Sequence, residues 1–177
     1  MIGNILLEIP EIIFASVKEH LLPNRLIHEE AAFMFVRQKT KSKDRVFLCL
    51  DWFPVSEDGF LSRSSFHFEL TDETRARAIK HAYDLDASLV EFHSHTGYRS
   101  AGFSVSDLLG FQEFVPHIWW RLKGRPYLAV VLSRYGLDGL VWIIDPNTPQ
   151  RLDGIVVGRS VLRPIKLNSL RYDYYDR

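Results

Sequence analysis

A strand that ends in two histidines spaced two apart constrains this chain more than any other feature. In Leu89-Val90-Glu91-Phe92-His93-Ser94-His95 the apolar start and strand-length run place alternate side chains on one face, so His93 and His95 point the same way. Further on, Ser104-Val105-Ser106-Asp107 precedes Leu108, Leu109 and Phe111, the pattern of a helix capped by Ser104 with Asp107 in its first turn. Each half alone has an ordinary explanation, a satisfied core histidine or a plain helix start. Together, in this order and joined by a Gly-containing loop, they offer two imidazole nitrogens and a carboxylate. Structural zinc sites are usually closed by four protein ligands, whereas three plus water is the catalytic form. One Zn²⁺ per chain on His93, His95 and Asp107, serving a hydrolase, is the expectation.

The 177 residues, 46% of them hydrophobic and 13% aromatic, suffice for a single domain over residues 1–177 with a substantial core. Lys plus Arg and Asp plus Glu balance at 22 each, so no global field favours nucleic acid or an anionic membrane, and neither is expected as a partner. The local basic run Arg37, Lys39, Lys41, Lys43 and Arg45 reads as a solvated hairpin turn. Cys49, the only cysteine, lies in an apolar run and reads as a core residue. Met1 to Leu7 lacks a basic, long-apolar leader, and no apolar run approaches the roughly 18 residues of a membrane span, so a cytoplasmic protein is expected.

Periodicity divides the chain into elements. Helical spacing runs from Glu11 to Leu22. Ala31 to Val36 and Val46 to Phe53 read as a hairpin, and Phe66 to Leu70 as a third strand. Thr71 caps a second helix to about Asp84, Leu89 to His95 follows as a strand, and Ser104 opens a third helix that Pro116 should kink or interrupt and Gly124 should end. Tyr127 to Ser133 pairs with Leu140 to Ile144 across Arg134 to Gly139, Ile155 to Ile165 supplies a last strand, and residues 167–177 form a polar-aromatic tail, mobile by default. The fold class is α/β: a single mixed β-sheet, largely antiparallel, flanked by helices. Phe114, Trp119 and Trp120 read as core residues first and as an aromatic docking patch second.

The segment His93-Ser94-His95 with Ser104-Val105-Ser106-Asp107, and Glu30 upstream between the first helix and first strand, resembles the JAMM (MPN-plus, or JAB) zinc metalloproteases. Their signature is an upstream Glu, His-x-His-Pro and Ser-x-x-Asp. Here Thr96 replaces the proline, and the loop from His95 to Ser104 is one residue longer than the usual spacing. The resemblance implies Glu30 as general base and Ser104 as oxyanion donor. Glu91, on the same strand face as His93, is a rival carboxylate. It further implies cleavage after the C-terminal glycine of ubiquitin or a ubiquitin-like protein, as deconjugation or precursor processing. The compact, single-domain chain looks more like the family's prokaryotic branch, some of whose members operate beside E1- and E2-like enzymes, which the resemblance implies as further partners. The alternative is a catalytically silent MPN-type protein-binding module in such a pathway. Other zinc classes fit less well: neither His-Glu-x-x-His nor the Pro-Cys-x-x-Cys of nucleobase deaminases occurs.

Overall fold

Apolar side chains alternate along the central strands and divide the interior into two cores, one on each face of a nine-stranded sheet. The computed structural model describes residues 3–98 and 100–165. In chain order these form β1 (Ile5–Ile9), α1 (Glu11–Leu21), β2 (Ala31–Lys41), β3 (Asp44–Pro54), β4 (Phe60–Arg63), β5 (Phe68–Leu70), α2 (Asp72–Asp84) and β6 (Ser88–Ser94). Then come α3 (Val105–Arg121), β7 (Tyr127–Ser133), β8 (Gly136–Trp142), β9 (Gln150–Arg151), β10 (Gly154–Val157) and β11 (Ser160–Leu162). The main sheet runs β11-β10-β1-β3-β2-β6-β7-β8-β9, and β4 and β5 form a separate two-stranded sheet. Pairs β1/β10, β1/β3 and β6/β7 are parallel and the others antiparallel, so the sheet is mixed and largely antiparallel, as expected.

On β2, Ala31, Phe33 and Phe35 pack under α2 and α3, while Ala32, Met34 and Val36 face the core that holds Val17 and Leu21 of α1. The same parity on β6 sends Leu89 to the α2/α3 side and Val90 and Phe92 to the α1 side. A one-residue slip would exchange the two sets, which fixes the register. Each fully buried phenylalanine contributes about 1.5–3 kcal/mol by leaving water.

Three local outcomes differ from the sequence expectation. Ile5–Ile9 forms an interior strand between β3 and β10, its pattern of alternate burial too short to stand out against a helix-rich neighbourhood. α3 runs through Pro116 without a break, because Phe111, Val115 and Ile118 hold both sides of the missing N–H against the sheet. It ends where expected, at Gly124, whose φ of 76° lets its N–H reach the Trp119 carbonyl at 2.8 Å. β8 begins at Gly136, earlier than the apolar run suggested, and Ile155 to Ile165 is split into β10 and β11.

The basic run lines the exposed β2/β3 hairpin end, where Lys41 pairs with Glu8 at 2.8 Å. Cys49 is half-buried rather than fully in the core. Burial, with help from Asp51, pushes its thiol up to about 11. Phe114 and Trp119 pack partly against the α2/α3 core, whereas Trp120 is exposed. No described helix is long and apolar enough to cross a membrane. The tail at 167–177 lies outside the described residues.

Asp138 on β8 is fully buried opposite Val131, and its Oδ2 has no hydrogen-bond partner among the described residues. Burial raises its carboxyl from 3.8 to about 6, against opposition from the Gly139 N–H and from Arg151 at 3.7 Å. A raised folded-state value means the native protein binds this proton more tightly than the unfolded chain does. The associated stability is complete below pH ~4 and is lost as pH rises through ~6. Asp138→Asn removes the cost of the buried charge, so the variant is expected to be more stable than wild type by about 3 kcal/mol at pH 8 and nearly equal to it at pH 4. Urea denaturation at the two pH values reads this directly. A stability difference that does not change with pH would contradict it.

Candidate metal centre

The two histidines reach a common point because the chain stays extended past the last residue of β6. The His95 N–H donates to the Leu132 carbonyl of β7 at 2.8 Å, which continues the ladder by one residue and keeps His95 in phase with His93. Both imidazoles are buried, at 1% and 2% exposure. The rings of Phe68 and Phe103 stand 5.7 and 5.8 Å from the His93 ring and make apolar walls.

The carboxylate arrives from α3. Ser104 is the N-cap: its Oγ accepts from the Asp107 N–H at 3.1 Å, and its own N–H donates to Asp107 Oδ2 at 2.7 Å. This reciprocal capping box holds the aspartate in one rotamer. Its Oδ2 then lies 3.5 Å from His93 Nε2 and 3.5 Å from His95 Nε2. The three ligand atoms all fall within 4.8 Å of one another. Tetrahedral ligands at 2.0–2.2 Å from zinc are about 3.4 Å apart, so the measured separations suit such an ion.

The polar bookkeeping agrees with the spacing. Both Nε2 atoms, and His93 Nδ1, are buried without a hydrogen-bond partner among the described residues, a cost that a bound cation removes for the two Nε2 lone pairs. His95 Nδ1 lies 3.1 Å from the Ser100 carbonyl, which can only accept, so Nδ1 carries the proton and Nε2 presents its lone pair inward. For the Asp107 carboxyl, burial would raise its pKa, but His93, His95 and the Ser104 N–H overcome this and hold it well below the carboxylate range. For His93, burial favours the neutral ring and Asp107 outweighs it, so the imidazole is held above its ordinary value. His93, His95 and Asp107 thus form a buried group that could hold a metal ion.

Glu30 and Glu29 fall on opposite sides of this arrangement. Antiparallel pairing sets Ala31 opposite His93, so continuing the register by two residues sets Glu29 opposite His95 on the same face. Glu29 is 2% exposed, with Oε1 4.0 Å from His95 Nε2. The odd step turns Glu30 elsewhere: its carboxylate pairs with Arg63 of β4 at 2.7 Å, and its N–H donates to Ser94 Oγ. Glu30, the carboxylate expected as base, is therefore engaged in an ion pair, and its neighbour borders the ligand group. Counting parity from the histidine pair would have pointed to Glu29, but only with the β2/β6 register known.

The remaining residues have definite places. Ser104 spends its oxygen lone pair on the cap and retains its hydroxyl hydrogen for donation. Thr96, where the JAMM signature has proline, donates through Oγ1 to the Ser65 carbonyl at 2.7 Å and ties the β4/β5 connection to the loop after β6. Glu91 follows His93 in parity yet is outside the ligand group; the Tyr127 hydroxyl donates to its Oε2 at 2.7 Å, and burial pushes its carboxyl up. No protein-family model matches the chain, and no curated protein is significantly similar to it.

Proposed function

We propose that this chain is a zinc-dependent amide hydrolase of the JAMM type, acting after the C-terminal glycine of a ubiquitin-like protein or its conjugates. The observation that carries the reading is the convergence of His93 Nε2, His95 Nε2 and Asp107 Oδ2 with a fourth buried side chain, Glu29, at 4.0 Å. His93, His95 and Asp107 would hold a zinc ion, which would supply Lewis acidity toward water and a carbonyl. Glu29 then serves as general base, taking the proton from the attacking water and returning it to the leaving amine, a role worth about 10²–10⁴-fold. The Ser104 hydroxyl, with its hydrogen free, donates to the oxygen that gains charge as the carbonyl becomes tetrahedral. The aromatic rings beside His93 lower the local dielectric, which strengthens both effects.

The ubiquitin-like substrate, and the E1- and E2-like enzymes of the same pathway, follow from the resemblance of the ligand segment. Release of lysine from a glycyl-Nε-lysine isopeptide tests the reading, with and without a chelator. Chelator-sensitive release supports it. Zinc-loaded protein that leaves both the isopeptide and ubiquitin-like conjugates intact would favour the silent binding module.

A further inference from the structure

Beside the metal ligands the molecule opens into a cleft of about 850 Å³ between β5, α2 and α3, and Asp107 lines its near end. Its floor includes Glu91, which precedes His93 by two residues on the same face of β6 and is 8% exposed. The Tyr127 hydroxyl occupies Glu91 Oε2, and no described residue hydrogen-bonds Oε1. No lysine, arginine or histidine among the described residues comes within 4.0 Å of this carboxylate. Arg75, which also lines the cleft and acts on Glu91 through space, lies over the Phe114 ring at 4.7 Å. The walls are mixed, with the acids Glu69, Asp72 and Glu113 beside the bases Arg121, His67 and His117. A carboxylate taken this far out of water without a paired cation is costly, and a guest cation relieves that cost.

From these observations we infer that the cleft is a substrate subsite for a guanidinium or ammonium side chain, with Glu91 as its specificity-determining residue. Two strand residues span roughly 6.8 Å, about the reach of an arginine or lysine side chain, so the cation belongs to a residue flanking the scissile amide. Glu91 at the floor draws it inward, and Tyr127 holds the receptor carboxylate still. The inference rests on the hydrolase reading for the words "scissile amide", but not for binding itself.

The test uses fluorescein-labelled Gly-Gly-Arg-Gly-Gly and its citrulline counterpart, which keeps the shape and removes the charge. Binding is measured by fluorescence anisotropy to full-length Glu29→Gln protein, and cleavage by zinc-loaded wild type. The arginine peptide is expected to bind about 10–100-fold tighter, with KM rather than kcat carrying the preference in cleavage. In Glu29→Gln/Glu91→Gln protein the ratio should collapse to near unity. Should that variant fail to fold, raising the ionic strength must shrink the ratio in the single variant. Cleavage of both peptides without discrimination, or equal or absent binding, overturns the subsite. Discriminating binding with no cleavage retains the subsite and removes the hydrolase reading.

Discussion

Glu29→Gln is expected to lower kcat by about 10²–10⁴-fold while zinc binding and KM stay near wild type. Glutamine preserves the volume at a site that is 2% exposed, so packing survives, but the amide cannot take a proton from water. Glu29 is outside the His93, His95 and Asp107 group that could hold a metal ion, and its substitution is expected to leave their Nε2 and Oδ2 geometry intact. Glu30→Gln provides the contrast. It weakens the ion pair with Arg63, whose partners are 16% and 19% exposed, and should show mainly as a small loss of stability. Steady-state kinetics on both variants, with metal content checked in each, decides between the carboxylates. Normal turnover by Glu29→Gln beside a dead Glu30→Gln would return the base to Glu30.

Asp107 has two roles that substitution can separate. Asp107→Asn keeps an oxygen for the Ser104 N–H, so the capping box survives in part, but the ligand loses its charge. Zinc affinity is expected to fall by at least about 100-fold, beyond what loss of an outer partner of a metal ligand costs. Asp107→Ala loses the carboxylate together with its bond from the Ser104 N–H, while Ser104 Oγ still caps the backbone N–H of residue 107, and its metal-free form should be about 1 kcal/mol less stable than metal-free wild type. Zinc titration gives the first quantity, and thermal unfolding in chelator gives the second. An Asn variant that binds zinc like wild type would remove Asp107 from the ligand set.

What the sequence disclosed about this site, and what it withheld, follows the reach of each interaction. His93, His95, Ser104 and Asp107 could be placed from local rules alone, since strand alternation and an N-cap need only a few neighbouring residues. The α2 cap at Thr71 and the β2/β3 hairpin were legible for the same reason. That Glu29 rather than Glu30 borders the ligand group was not, because it depends on β2 pairing with a strand some sixty residues away. β1 escaped notice likewise: its place between β3 and β10 is set by two parallel neighbours distant in sequence. The partners of Glu30 and Glu91, Arg63 and Tyr127, also come from remote strands and left no local trace. Pro116 shows the converse, a strong local signal overridden by tertiary packing.

The most direct test of the metal centre is elemental analysis of the purified protein, run in parallel on wild type and on His93→Ala/His95→Ala. The geometry predicts close to one zinc per wild-type chain, or uptake of one when zinc is offered, and none in the double variant. Wild-type protein that holds no zinc and takes up none would contradict the account at its root.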